Sequence, residues 1–170
     1  MPVAVGTGVD PSNKRHKMFT EMGGAALLHK LTGMDPTLLP AQTVLDMATL
    51  GGAAAMHDNR LGSLAVGKAA DCVALDLAAP NMQPLYNAVS HLVYAATGME
   101  NRMTMIAGEI VYEDGKFTRF DYDALCRVMI SIRDFVRRQA GLAGPAHVGL
   151  QVSLSALAMY TCRSMARCCN

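Results

Sequence analysis

Residues 61–77, LGSLAVGKAADCVALDL, constrain the fold more than any other stretch of the sequence. Apolar residues alternate with small or polar ones on either side of Gly67, a pattern typical of a β-hairpin that turns at Gly67 and Lys68. The alternating positions are Leu64 and Val66, then Val73, Leu75 and Leu77. Asp71 is suited to accept backbone N–H groups in the turn and so to fix the register. The stretch predicts a hairpin, and a structural role is favoured over a catalytic one.

Length and charge limit the class of protein. A chain of about 150 residues buries about 70% of its unfolded surface, so 170 residues can form a core. A complete (β/α)8 barrel, however, needs about 200 to 250 residues. With 51% hydrophobic and 17% charged residues, the chain is not expected to be disordered. Fifteen basic and fourteen acidic residues leave a net charge of +1, which does not indicate nucleic-acid binding.

The termini and the cysteines bear on location. The first residues lack the charged start and long apolar run of a secretory signal, so a cytoplasmic protein is expected. The five cysteines include no C-x-x-C pair, which favours free thiols over disulfides or a zinc site. The apolar stretch at residues 148–160 is shorter than the roughly 20 residues of a bilayer span, so no membrane association is expected.

A short strand and a helix are predicted before the hairpin. Residues 1–7, MPVAVGT, have the composition of a buried strand. Apolar residues then recur at helical spacing over residues 18–31, and Gly33 ends that helix. Gly23 and Gly24 lower its helix propensity and suggest close packing. Three polar side chains before the helix could cap it: Asp10, Ser12 and Asn13.

Further elements follow on both sides of the hairpin. Pro40 begins a second helix, AQTVLDMATL, which the Gly51 and Gly52 pair is expected to end. By pattern alone residues 89–97 fit either a short helix or a strand. Residues 103–111 alternate, and residues 113–116, EDGK, have the composition of a tight hairpin turn.

The clearest amphipathic helix follows Asp121. Its apolar positions repeat at three and four residues: Leu125, Val128, Met129, Ile132, Phe135 and Val136. Arginines occupy much of the other side: Arg127, Arg133, Arg137 and Arg138. This pattern favours packing on the helix's own domain or on a partner subunit. Residues 141–170 suggest no function.

Several motifs in the sequence resemble those of one family. The pattern G-S-L-x-x-G-K-x-A-D-x-x-x-x-D, from Gly62 to Asp76, resembles the start of the small β-domain that follows the barrel in the amidohydrolase superfamily. The likeness is strongest to 5-methylthioadenosine/S-adenosylhomocysteine deaminases and chlorohydrolase-like relatives. LLHKLTGMDPTLLPAQTVLDMATLGGAAA, QPLYNAVSHLVYAATG and IAGEIVYEDGKF extend it over residues 3–136.

This resemblance implies a mixed α/β fold that is part of a larger one. Residues 1–57 would be a remnant of the last strand of a metal-dependent (β/α)8 barrel with its following helices. Residues 58–120 would belong to the small β-sandwich-like domain, residues 121–140 form the C-terminal amphipathic helix, and residues 141–170 are a tail without resemblance. The resemblance also favours a helix at residues 89–97.

The family's chemistry depends on a metal site. In amidohydrolases of this kind a hydroxide bound to zinc or iron attacks a carbon that carries an amino or halide leaving group. An H-x-H pair on the first strand, two further histidines and an Asp at the end of the last strand hold the metal; that Asp also handles the proton. The Asp ends a phrase like V-A-L-G-T-D, whereas residues 3–8 here read V-A-V-G-T-G. Gly8 therefore stands where the carboxylate would be, and it offers no ligand.

The other candidate residues also favour structural roles. The histidines are scattered, with no H-x-H motif: His16, His29, His57, His91 and His147. His29 and His91 have apolar neighbours and are expected to pack, and His57 with Asp58 could form a local pair without a third orienting group. Asp10 is a cap more than a ligand, and Ser12 with Asn13 matches the family's S-N wording. The sequence predicts no catalytic residue, no metal ligand and no cofactor for this chain.

Two hypotheses follow, from different classes. The chain is either a truncated piece of a deaminase that hydrolyses carbon–nitrogen bonds of adenosine-type substrates, inactive alone, or a non-catalytic interaction or assembly module. The expected partners are a complementing barrel half or further copies of the chain. Catalysis by the isolated chain is not expected in either case.

Overall fold

The computed structural model describes residues 3–8 and 16–141 and has a mixed α/β fold. Two helical stretches come first, and in the four-stranded sheet that follows them a third helix separates the first strand from the other three. The elements are α1 (Met18–Gly33), α2 (Ala41–Asp46), a π-helical turn (Met47–Gly51), α3 (Gly52–Ala55), β1 (Cys72–Leu75), a 3-10 turn (Pro80–Met82), α4 (Ala88–Tyr94), β2 (Asn101–Ile106), β3 (Glu109–Glu113), β4 (Lys116–Phe117) and α5 (Tyr122–Gln139).

The core of the helical part is small and lies between α1, α2 and α4. Its buried residues are Met22 and Ala26 of α1, Val44 of α2 and Val93 of α4. Gly23 permits the close approach of α1 to α4, because a Cβ there would lie 3.0 Å from the Val93 carbonyl oxygen. The prediction of close packing is therefore confirmed at Gly23, whereas a Cβ on Gly24 would meet nothing within 4 Å.

The bounds of α1 agree with the sequence, but its predicted caps do not. The helix ends at Gly33, and Met34 follows in the left-handed region with its N–H donating to the Leu31 carbonyl oxygen. Lys17 occupies the N-cap position and makes no side-chain capping bond. The predicted capping residues Asp10, Ser12 and Asn13 lie outside the described residues.

The second helix continues past the glycine pair that was expected to end it. Gly51 and Gly52 both have right-handed helical φ values, −62° and −59°, so α2, the π-turn and α3 form one helical run from Ala41 to Ala55. A Cβ on Gly51 would clash with the carbonyl oxygen of Val3. Gly51 therefore admits the N-terminal segment against the helix, and this contact explains the glycine better than a helix end does.

The N-terminal run at residues 1–7 was expected to be a buried strand, and in the described segment, residues 3–8, that prediction is wrong. The segment has no strand assignment, and its described link to the helical run is a bond from Val5 N–H to the Met47 carbonyl oxygen, 3.2 Å. A strand needs a neighbouring strand to satisfy its backbone groups, and within the described residues none pairs with this segment.

The sheet is antiparallel with the order β1-β2-β3-β4. The predicted hairpin at residues 61–77 is wrong, because β1 pairs with the distant β2, Cys72 opposite Met105 and Ala74 opposite Met103. Leu64 and Val66 lie in an exposed loop before β1. Gly67 does turn the chain, with a φ of +86° and a bond from Lys68 N–H to the Ala65 carbonyl oxygen.

Asp71 has the predicted chemistry with a different partner. Its Oδ1 accepts the backbone N–H of Ala107 at 2.7 Å. Ala107 lies in the turn between β2 and β3, so the carboxylate ties the start of β1 to that turn instead of to its own loop. Register is thus fixed by a contact across 36 residues of sequence.

Two-residue turns connect the later strands. Ala107 and Gly108 have φ values of +51° and +82°, and Asp114 and Gly115 have +42° and +85°. Such pairs match the twist of the flanking strands. The tight turn predicted at residues 113–116 is confirmed, and the alternating run at residues 103–111 proves to be two strands around Ala107 and Gly108.

The amphipathic helix predicted after Asp121 is confirmed as α5, and the short helix at residues 89–97 is confirmed as α4. No residue of α5 is buried, and its apolar stripe is exposed along its whole length. Its packing on another surface stays a prediction. None of the helices in the described part of the chain is long and apolar enough to cross a membrane.

Candidate functional site

Gly8 ends the described N-terminal segment, where the family resemblance requires a carboxylate. It is exposed and has a φ of +67°, a conformation that glycine adopts without strain. Among residues 3–8 and 16–141, no three His, Cys, Asp or Glu side chains lie close enough to hold one ion. A catalytic metal needs about three protein ligands and an open position. The described residues therefore do not fit the metal that the resemblance implies.

The histidines are held in separate places. His29 is exposed, with Nδ1 3.2 Å from the Ala25 carbonyl oxygen of its own helix, so the prediction that it packs in the interior is wrong. His91 is half-buried, with Nδ1 2.9 Å from the Asn87 carbonyl oxygen and Nε2 3.1 Å from that of Pro84. Carbonyl oxygens only accept hydrogen bonds, and a neutral imidazole has one N–H, so a neutral His91 ring donates to one of these two oxygens at a time. His147 lies outside the described residues.

Asp58 pairs with Arg60 and not with His57. Its carboxylate accepts Arg60 Nε at 3.0 Å, Nη2 at 2.7 Å and the Arg60 backbone N–H at 2.9 Å. These hydrogen bonds lower the pKa of Asp58 to about 2. His57 is exposed at a φ of +56°. The pair that the sequence left open does not form, and no acid–base dyad arises there.

An open cleft of about 460 Å³ lies beside these residues. Its lining consists of Leu50, Ala53, Ala54, His57, Asp58, Asn59, Leu61 and Lys68. Lys68 Nζ donates to the Leu61 carbonyl oxygen at 3.3 Å, and the Asp58 charge is matched by Arg60. Catalysis by a nucleophilic side chain needs that nucleophile, a base that activates it and a group that orients the base, all within reach of one another. This lining does not provide that set.

Glu100 is a buried carboxylate that the sequence reasoning missed. Its side chain is 4% exposed and accepts hydrogen bonds from the Asn81 amide, from the Thr97 hydroxyl at 2.9 Å, from Thr97 N–H at 3.1 Å and from Gly98 N–H at 2.9 Å. Burial opposes ionisation, but these hydrogen bonds outweigh it and lower the pKa of Glu100 to about 2. The sequence signal is the turn Thr97-Gly98-Met99-Glu100, in which the carboxylate folds back onto preceding N–H groups.

The Glu100 site is closed and structural. The hydrogen-bond donors to its carboxylate come from Thr97 and Gly98, in the turn before β2, and from the Asn81 amide. The Asn81 amide also donates to the Ala95 carbonyl oxygen at 2.9 Å. With its lone pairs occupied and its side chain inaccessible, Glu100 joins the 3-10 turn, the end of α4 and the start of β2. It positions the sheet and offers no open face to a substrate.

Comparison with known families defines the class. The model of the amidohydrolase family matches residues 2–111, well over half of the chain. The chain therefore belongs to the amidohydrolase family, and the resemblance recognised in the sequence is confirmed.

Two relatives within the amidohydrolase family are deaminases. The chain is 92% identical over 143 residues to the 5-methylthioadenosine/S-adenosylhomocysteine deaminase of Desulfovibrio desulfuricans, a match that covers 84% of this chain and 32% of that enzyme. It is 43% identical over 112 residues to the 5'-deoxyadenosine deaminase of Methanosarcina mazei, covering 66% of this chain and 26% of that enzyme. The chain thus spans about a third of the length of the curated relatives it matches.

Solved structures share the fold. An adenosine deaminase from Xanthomonas campestris with bound zinc superposes with a TM-score of 0.77 at 39% identity, over 81% of this chain and 32% of the other. Atrazine chlorohydrolase from Arthrobacter aurescens superposes with a TM-score of 0.66 at 21% identity, over 78% of this chain and 30% of the other. The second likeness concerns the fold alone.

Proposed function

We propose that this chain is the carboxy-terminal portion of a deaminase for adenosine-type substrates, and that it contributes to catalysis only together with the remaining two thirds of such an enzyme. The observation that carries this proposal is the 92% identity over 143 residues to a deaminase of which the match covers 32%. At this identity the matched part of the two chains has the same fold and the same packing requirements.

The need for the remaining part follows from the chemistry. Hydrolysis of an exocyclic amine requires a nucleophilic hydroxide at neutral pH, which a metal with about three protein ligands and an open position can generate. His29 and His91 contact backbone carbonyl oxygens, His57 is exposed, and Gly8 has no side chain. We infer that the other two thirds supply the metal ligands and that zinc or iron binds there.

Within such an enzyme, this chain's own residues would provide support. Gly51 lets residues 3–8 lie against the helical run, and the small core of α1, α2 and α4 holds that run in place. Glu100 and Asp71 fix the sheet to the turns around it. These contacts position the segment that carries Gly8 without requiring any reaction at this chain.

The proposal is tested by co-producing this chain with the part of the Desulfovibrio desulfuricans deaminase that it does not match. Ammonia release from 5-methylthioadenosine and from S-adenosylhomocysteine would be measured for the complex, for each piece alone and for the complete relative. We expect the complex to be less active than the complete relative, because Gly8 takes the place of the carboxylate, and we expect no activity in this chain alone. Equal activity of the amino-terminal piece alone, or activity of the isolated chain that persists after chelation, would contradict the proposal.

A second candidate function is a non-catalytic assembly module. It is favoured by α5, whose apolar stripe is exposed on every turn, since large exposed apolar patches mark interaction sites or aggregation. Light scattering of the purified chain separates the two. Stable, discrete oligomers would support the module, whereas a monomer at high concentration would count against it.

A further inference from the structure

The cleft of about 460 Å³ lies between the helical run and the loop that follows it. Three residues of the helical run form its apolar floor: Leu50, Ala53 and Ala54. Small-molecule sites in proteins typically have volumes of about 300 to 1,000 Å³. The cleft therefore has room for a compact organic molecule, one side of which stays in contact with water.

The loop that forms the other wall is held in place by the chain itself. The Ala69 N–H donates to the Arg60 carbonyl oxygen at 3.0 Å, which joins the two ends of the loop. Gly62 has a φ of +83°, and a Cβ there would lie 2.9 Å from the Thr49 carbonyl oxygen. The glycine thus lets the loop lie directly on the helical run, and the cleft is formed before any ligand arrives.

The charge available inside the cleft is positive. Asp58 is the one carboxylate among the described lining residues, and both of its oxygens accept hydrogen bonds from the Arg60 guanidinium. Lys68 is half-buried, and its Nζ donates to the Leu61 carbonyl oxygen at 3.3 Å. An ammonium group has three N–H donors. Lys68 can therefore donate to a ligand and keep its bond to the loop.

Two further polar side chains line the cleft from the same loop. His57 and Asn59 are both exposed, and each carries a side-chain N–H group. Together with Lys68 they place hydrogen-bond donors along one wall, opposite the apolar floor. This arrangement suits a ligand with an anionic head and an apolar body.

We propose that this cleft is a binding site for a small organic carboxylate, with the carboxylate at Lys68 and a ring-sized apolar body over Leu50 and Ala54. A cationic ligand is disfavoured because Lys68 would repel it and the Asp58 carboxylate is already paired. A phosphate is best held by several cations, an arginine fork or a helix N-terminus, and the described lining has a single lysine. The site lies within this chain, so it does not depend on the deaminase proposal.

Three probes separate the contribution of the charge from that of the apolar body. Benzoate has both, benzamide has the same ring without the charge, and acetate has the charge without the ring. Amide chemical shifts of the ¹⁵N-labelled chain give the Kd of each probe and the residues that it affects. We expect benzoate to bind at about millimolar Kd with shifts at Ala54 and Lys68, and benzamide and acetate to bind at least about fivefold more weakly.

A substitution of the cation gives the second test. Lys68→Met keeps an apolar stem and removes the charge, so the Kd for benzoate should rise about fivefold and the preference over benzamide should disappear. Lys116→Met, at the exposed start of β4, is the matched control and should bind benzoate as the unmodified chain does. Ala54→Trp, at an exposed position of the floor, should fill the cleft and abolish binding of benzoate.

Several results would overturn the site. These are an equal Kd for benzoate and benzamide, an equal Kd for benzoate and acetate, an unchanged Kd in Lys68→Met, and the same weakening in Lys116→Met. Shifts spread over the whole chain instead of the cleft would show nonspecific binding and have the same consequence. If circular dichroism shows that Lys68→Met does not fold, Ala54→Trp decides, and undiminished benzoate binding by that variant would contradict the proposal. The deaminase proposal is judged separately, by the activity of the complex.

Discussion

At the scale of single residues, Glu100 shows how the described fold holds a buried carboxylate. Its carboxylate is buried and, among the described residues, is stabilised by four donor groups from Asn81, Thr97 and Gly98, none of them a cation. Its backbone carbonyl oxygen also accepts Asp76 N–H at 2.7 Å. A buried charge is tolerated only when such bonds replace its hydration. The surrounding turn is therefore built for a carboxylate.

We expect Glu100→Gln to lower the free energy of unfolding by about 1 to 3 kcal/mol, because the amide would place its own N–H groups against donors. Glu109→Gln is the matched control. Glu109 is exposed and pairs with Arg119 at the surface, where such a pair contributes less than about 1 kcal/mol. Urea unfolding of both variants decides the matter, and equal losses would show that the Glu100 turn is not specific for a carboxylate.

Glu100 should also make stability depend on pH. Its pKa is about 2 when folded, below its ordinary value of 4.5, so the unfolded chain takes up a proton first as pH falls. The stabilisation is complete above pH 4.5 and is lost as pH falls toward 2, and it amounts to about 3 kcal/mol. Urea titrations from pH 6 to 3 should show this loss in the unmodified chain and a smaller one in Glu100→Gln. Parallel curves would contradict the assignment.

At the scale of elements, the sequence predicts those helices and turns that residues close together in the chain determine. The spacing of apolar residues indicates α1 and α5, and the Asp114 and Gly115 pair indicates the β3–β4 turn. The hairpin at residues 61–77 failed because the partner of β1 lies in β2, which alternation cannot identify. Asp71 was recognised as an acceptor, but its donor is 36 residues away.

Glycine roles show the same limit at Gly51 and Gly52. The sequence alone suggests a helix end at either glycine, but both are helical in the structure. What distinguishes the two glycines is the space around them. A Cβ would clash with the Val3 carbonyl oxygen at Gly51 and would meet nothing within 4 Å at Gly52. Only contact with a remote segment distinguishes the two, and no local pattern encodes that contact.

This pair makes a matched test. Gly52→Ala should raise the free energy of unfolding by about 0.5 to 1 kcal/mol, because alanine restricts the unfolded chain and favours the helix. Gly51→Ala should lack that gain and push residues 3–8 away from the helix. Hydrogen exchange at the Val5 amide, which donates to Met47, should then be faster in Gly51→Ala alone. Equal stabilisation by both substitutions would mean that Val3 does not lie over Gly51.

At the scale of the whole molecule, the described chain has more apolar surface than core. Its buried hydrophobic residues are Met22, Ala26, Val44, Ala53, Met82, Val93 and Ala96, whereas most of its large apolar side chains are exposed. A chain that is 51% hydrophobic with so small a core is suited to burial against a larger body. The family could be recognised from the sequence because its motifs are short runs of neighbouring residues. The role of each exposed apolar surface could not be predicted, because no local pattern says what covers that surface.

Gly8 is the position at which a carboxylate can be introduced to test the missing metal ligand. In the isolated chain, Gly8→Asp would add one carboxylate where the described residues hold no group of three potential ligands, so neither bound zinc nor deamination should appear. The substitution should lower the free energy of unfolding by up to about 1 kcal/mol, because Gly8 has a φ of +67° that a residue with a Cβ adopts at a cost.

In the complex with the amino-terminal two thirds of the Desulfovibrio desulfuricans deaminase, the same carboxylate could join the histidines that the family uses. We expect Gly8→Asp to raise zinc content, measured by plasma mass spectrometry, and ammonia release from 5-methylthioadenosine. Gly6→Asp is the matched control: it adds the same charge two residues earlier, where a Cβ meets nothing within 4 Å, and should change neither quantity. If the two variants behave alike in the complex, Gly8 does not stand at the metal. Tight, stoichiometric zinc in the isolated unmodified chain would show instead that the chain carries ligands of its own.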